Sequence, residues 1–151
     1  MQRSTLRISK IKDVKTPERT GHNAGFDFFV PEDEYVRTLE PHESVLIPSG
    51  IKVRLPEGHA LIAFNKSGIA SKHKLQIGAC VIDENYMGEV HLNLINVGNN
   101  IVHIKPGMKL AQFILLPVNY AKIEVLPENE LYQNFYEDER GENGFGSTGV
   151  W

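Results

Sequence analysis

Cysteine is almost absent from the chain: Cys80 is the only one in 151 residues. An internal disulfide and a cysteine-based zinc cluster are therefore excluded, and a reducing compartment fits. There is no G-x-x-x-x-G-K-[ST] segment, and no G-x-G-x-x-G follows a strand pattern, so the common phosphate loops are missing. The six histidines, at positions 22, 42, 59, 73, 91 and 103, show no ligand spacing and read as ordinary surface or core residues. No apolar run approaches membrane-spanning length. The opening MQRSTLRISKIKDV lacks the apolar centre of a signal peptide, so a cytoplasmic location is expected. That means the host's cytoplasm if the source is viral, with the nucleus left open. Positive charge is not in excess, since the formal net charge is −3. General affinity for nucleic acid or for an anionic membrane is not expected, and any polyanion must be handled at a local site. Sustained helical periodicity is also lacking.

What the chain does contain is a series of short strand patterns separated by turn residues. Candidates are Leu6–Ile11, an aromatic strand following Gly25, Tyr35–Leu39, Ser44–Ile47, Ile51–Leu55, Ala60–Phe64, Ile101–Ile104, Lys109–Leu116 and Ala121–Val125. Pro41, Pro48-Ser49-Gly50, Pro56-Glu57-Gly58 and Pro106-Gly107 punctuate them. This spacing predicts an all-β sandwich or barrel, with one short helix from Ser67 through Lys74. The expected organisation is one β domain over residues 1–126 and a C-terminal arm over 127–151. The arm ends in RGENGFGSTGVW, whose four glycines and lack of pattern predict a mobile segment.

The stretch Gly78 to Asn96 reads as a β-hairpin. Ala79 to Ile82 form an apolar arm, Asp83-Glu84-Asn85 a polar tip, and Val90, Leu92 and Leu94 alternate with polar residues on the return. Strands that splay at such a tip leave backbone donors and acceptors for a flat heterocycle. Gly88 is expected to give the backbone the freedom to turn back. Taken alone, the same residues also describe an ordinary turn. Asp27, between Phe26 and Phe28, needs hydration or a partner. Ser67-Gly68 at a helix start offers N–H groups to an anion, and also fits plain capping.

Five segments in chain order sharpen this picture. AGFDF (Ala24 to Phe28), NKSGIASK (Asn65 to Lys72), GACVIDENYMGEV (Gly78 to Val90), GMKLAQFIL (Gly107 to Leu115) and RGENGFGSTG (Arg140 to Gly149) resemble the five motifs of the homotrimeric dUTPases. Lys66 stands where the family usually has Arg, Cys80 where relatives often have Gly, and Met87 where many have Arg.

The resemblance implies a jelly-roll fold and hydrolysis of dUTP to dUMP and pyrophosphate, with water attacking the α-phosphorus. Such an enzyme keeps uracil out of DNA and supplies dUMP for thymidylate synthesis. Asp83 would orient and deprotonate the water. Tyr86 would pack against the deoxyribose and leave no room for a 2′-hydroxyl, and the backbone around Ile82 would read uracil. Asp27 would hold the waters of a magnesium ion. Ser67, Gly68 and Gln112 would bind phosphate oxygens with Lys66 supplying charge, and Arg140 would meet the γ-phosphate. Ser147 and Thr148 would add donors, with Gly146 allowing close approach, and Phe145 would stack on uracil. The resemblance also implies a trimer whose active sites are shared between subunits. Alternatives of other classes are a dCTP deaminase of the same fold and a dUTP-sensing regulatory protein.

Overall fold

The computed structural model describes residues 3–134 and 141–151. By contact the chain divides into two compact units, Met1–Tyr120 and Ala121–Trp151. The first is an all-β sandwich of antiparallel sheets. One sheet has the order β1-β4-β8-β6, from Arg7–Lys10 (β1), Ser44–Arg54 (β4), Glu89–Asn96 (β8) and Leu75–Ile77 (β6). The second has the order β2-β10-β5-β7, from Phe26–Phe28 (β2), Ala111–Pro117 (β10), His59–Asn65 (β5) and Val81–Ile82 (β7). A two-stranded ribbon pairs Arg37–Leu39 (β3) with Val102–Ile104 (β9).

The core follows from strand alternation. Along β8, Val90, Leu92, Leu94 and Asn96 are buried and the residues between them are half-exposed, as the period of two requires. Ile47, Leu92 and Leu94 from one sheet, Phe28, Leu61 and Phe113 from the other, and Leu39 and Ile104 from the ribbon form a single apolar cluster. Phe28 and Phe113 meet at 4.4 Å between ring centroids, tilted by 47°. Asn96 is buried without penalty, because its amide donates to the carbonyls of Leu39 and Asn100 while its oxygen accepts from Gly98.

Three local expectations change. Pro48-Ser49-Gly50 does not end a strand: β4 runs through it for 11 residues. Its register against β8 shifts between Pro48 and Lys52, and this irregularity absorbs both the proline and Gly50 at φ 73°. The helix α1 covers Ser67–Lys72, shorter than expected, with Lys66 rather than Ser67 at its N-cap. Residues 121–125 form no strand; Ile123 and Val125 are almost fully exposed and have no paired edge. In the second unit, Glu128–Leu131 adds one helical turn (α2). No helix among the described residues is long and apolar enough to cross a membrane.

Candidate active site

The central segment does not fold as a paired hairpin. Its first arm, β7, pairs with β5 through Leu61↔Ile82 and Ile62↔Val81, whereas its second arm, β8, pairs with β4 and β6 in the other sheet. The two arms are joined only near their base, where the Gly78 and Ala79 amides donate to the carbonyl and side chain of Asn93 at 3.0 and 2.6 Å. They diverge from there, and a pocket of about 200 Å³ opens between them. Leu46, Cys80, Ile82, Asp83, Tyr86 and Phe113 are among its walls. Because β7 is the outermost strand of its sheet, one edge of its backbone has no strand partner. That edge can pair with a heterocycle.

Asp83 follows the last residue of β7 and lies at the pocket mouth, exposed. Its carboxylate has no side-chain partner among the described residues, so it is open to water. Its carbonyl accepts from the Tyr86 amide at 3.1 Å and closes a tight turn. Tyr86 is fixed in turn: its hydroxyl donates to the Glu89 carbonyl at 2.7 Å. The reason for glycine at position 88 differs from the expected one. Gly88 does not adopt a left-handed φ; a Cβ there would overlap the Tyr86 ring. Glycine is needed because the ring lies across it. Cys80 is half-buried in the pocket wall as a small hydrophobe.

A second group gathers at the far end of the same sheet. Gln112 on β10 is in register with Asp27 on β2 and with Phe64 on β5. Its amide donates to the Asn65 carbonyl at 2.7 Å, leaving the second N–H for a ligand. A side chain at Gly25 would collide with Gln112, which explains the glycine two residues before Asp27. Lys66, the residue after β5, forms an ion pair with Asp27 Oδ1, and Lys109 approaches Oδ2 at 3.8 Å. Asp27 is thus partnered by two cations. Lys109 was not anticipated, and only its place in the fourth motif hinted at it. Ser67 and Gly68 open α1, exposed, directly after Lys66.

Among the described residues no group of three or more His, Cys, Asp or Glu side chains could hold a metal. An all-protein cage is therefore not present there. A single carboxylate such as Asp27 does fit magnesium, which usually keeps several of its waters.

Phe145, Ser147 and Thr148 lie in the second unit, in a run of turns closed by Ser147 N–H to Gly144 O at 3.1 Å and Gly149 N–H to Gly146 O at 2.9 Å. All three are exposed, and Phe145 has φ 45°. Arg140 lies outside the described residues.

The two groups of the first unit do not meet. Ile82 pairs with Leu61, so Asp83 lies beside Ala60, five residues along β5 from Asn65. At strand spacing that is roughly 16 Å. A general base works within a hydrogen bond or one water of its target. Within one chain, Asp83 and the Gln112–Lys66 group therefore lie at opposite ends of β5.

Residues 12–149 match the family model described as dUTPase. The chain is 40% identical over 130 residues to the deoxyuridine 5'-triphosphate nucleotidohydrolase of Clostridium novyi, covering 85% of each. It is 34% identical to that of Mus musculus, covering 97% of this chain and 86% of the mouse protein. Among solved structures it resembles the Staphylococcus bacteriophage 80alpha dUTPase with dUpNHpp, with TM-score 0.80, 28% identity and coverage of 97% and 99%. A phage phi11 dUTPase, with TM-score 0.73, 27% identity and coverage of 83% and 99%, is described with a structural Mg(II) ion.

Proposed function

Because this chain belongs to the dUTPase family, we infer that it hydrolyses dUTP to dUMP and pyrophosphate at sites assembled from more than one copy of itself. The observation that carries this reading is the pocket between the diverging arms of residues 78–96, with the unpartnered Asp83 carboxylate at its mouth.

Uracil enters the pocket and pairs with the free edge of β7 near Ile82. Its N3–H and O4 complement a main-chain acceptor and donor, whereas cytosine presents the reverse and would leave buried polar groups unpaired. The Tyr86 ring, held against Gly88, occupies the space a 2′-hydroxyl would need. Asp83 accepts a proton from the attacking water and aims it at the α-phosphorus.

Gln112, Ser67 and the Gly68 amide hold phosphate oxygens, and Lys66 supplies charge once phosphate competes with Asp27 for its ammonium. Asp27 would hold a magnesium ion through water, and the ion would supply positive charge to offset that on the leaving pyrophosphate. Separation along β5 supports a site in which the Gln112–Lys66 group of one copy serves the Asp83 of another. A closed trimer satisfies this with three equivalent sites. Arg140 and the segment from Phe145 to Thr148 then close over the nucleotide, with Phe145 stacking on uracil.

The test is release of pyrophosphate from a panel of nucleoside triphosphates, with magnesium and with chelator. Turnover confined to dUTP and dependent on magnesium is expected. Ammonia from dCTP, or equal turnover of UTP, would contradict the reading. A second role is raised by the 80alpha protein, described among phage dUTPases that control transfer of virulence genes. Retention of a partner protein only in the presence of dUpNHpp would support nucleotide-dependent signalling here.

A further inference from the structure

Asp83 is carried by little structure of its own. The strand before it has two residues, pairs with one neighbour and lies at the edge of its sheet. Just before β7, the Ala63 amide donates to the Cys80 carbonyl at 2.8 Å. A carboxylate on such a strand end would wander by more than a positioned base can tolerate, unless its turn is fixed from elsewhere.

Glu84 supplies a fixing point. Its Oε1 accepts a hydrogen bond from the Gly58 amide, in the turn between β4 and β5, and another from the Tyr120 hydroxyl at 3.1 Å. Those two anchors are themselves tied together. The Val118 amide donates to the Gly58 carbonyl at 2.8 Å, and Pro117 pairs with His59 at the last rung between β10 and β5. Gly58 has φ 76°, which suits glycine and aims its amide at Glu84. Glu84 thus bridges the catalytic turn to the firmest ladder of the second sheet. Tyr120, protonated at neutral pH and so a donor, has its phenol raised further above the ordinary value. Desolvation contributes most, followed by the hydrogen bond with Glu84 and the charges of Glu84 and Asp83.

We propose that Glu84 is a positioning residue, which bridges the Gly58 amide and the Tyr120 hydroxyl so that the adjacent Asp83 carboxylate stays aimed at the attacking water. The proposal rests on the dUTPase reading above and adds a residue that is not among those lining the pocket.

Three variants test it on the full-length protein: Glu84→Ala, Glu84→Gln and Tyr120→Phe. Glu84→Ala is expected to lower kcat for dUTP about ten- to a hundredfold, as misplaced catalytic groups do, while KM stays within about twofold. Its affinity for dUpNHpp and its thermal midpoint should remain close to those of the parent. Glu84→Gln keeps an acceptor oxygen and should recover most of the lost kcat, whereas a simple charge effect would not be rescued. Tyr120→Phe should lose about threefold alone and nothing further when combined with Glu84→Ala, because both act through one bridge. Unchanged kcat in Glu84→Ala, a loss expressed only in KM, or a Gln variant as poor as the Ala variant would overturn the proposal and leave the parental activity standing. A parent protein that releases no pyrophosphate from dUTP would overturn both.

Discussion

The two ends of β5 differ in how much of the site each one prepares. At the Asn65 end, side chains from three motifs already hold one another: Lys66 on Asp27, Gln112 on the Asn65 carbonyl, and Gly25 shaped to Gln112. At the Ala60 end, the reactive carboxylate stands exposed, without a side-chain partner among the described residues, beside the pocket. The first end is a clamp whose lysines are already paired with Asp27 before any phosphate arrives. The second keeps its charge available for water. A paired Asp83 would be a poor base, and an unpaired Lys66–Asp27–Lys109 group would lose the ion pairs that hold it in place. The roughly 16 Å between them also keeps the lysines from pairing with Asp83 within one chain.

That contrast can be broken most severely at Asp83. Asp83→Asn should retain dUpNHpp binding and lose turnover on the order of a hundredfold or more. Near-normal turnover, measured as pyrophosphate release, would remove Asp83 from the base role. Phe145→Ala should cost roughly ten- to a hundredfold in kcat/KM, the loss of one base–aromatic stack. Because Phe145 is fully exposed, its thermal midpoint should not move.

At the clamp end, Lys66→Met removes one charge-assisted contact and should lower kcat/KM about tenfold. It also leaves Asp27 with only Lys109 of its two cations, at 3.8 Å, so Mn²⁺ binding to the nucleotide-free protein, followed by electron paramagnetic resonance, should strengthen. Weaker metal binding in this variant would show that Lys66 supports the site and does not compete for it. The smallest effect is expected from Gly88→Ala. The added Cβ meets the Tyr86 ring, so stability should fall by about 1–3 kcal/mol and the preference for dUTP over UTP should shrink. An unchanged preference would mean that the sugar is read elsewhere.

The clamp and the carboxylate were both legible as residue types, since the motifs stand in order along the chain. Strand alternation placed Val90, Leu92 and Leu94 in the core, because a half-buried strand writes its period directly into sequence. What local sequence did not carry was pairing. Apolar arms flanking a polar tip look alike whether they pair with each other or, as here, with different sheets. Pro48 and Gly50 read as a break because a bulge that accommodates both depends on β8 across the ladder. Glu84 looked like any polar tip residue. Its two partners lie 26 and 36 residues away, so no local pattern distinguishes it from Asn85. The exposed apolar residues Ile123 and Val125 likewise suggested a strand that finds no edge in one chain.

The claim with the widest consequence is that hairpin and clamp of one site come from different copies. Asp83→Asn protein and a clamp-deficient Lys66→Met/Gln112→Ala protein, each nearly inactive alone, can be mixed under conditions that exchange subunits. If sites pair the hairpin of one chain with the clamp of the next, random reassortment in a closed trimer makes about a quarter of sites intact. Activity should then rise to about a quarter of that of the unmodified protein. A mixture no more active than the sum of its parts, from chains shown to have exchanged, would contradict the shared site.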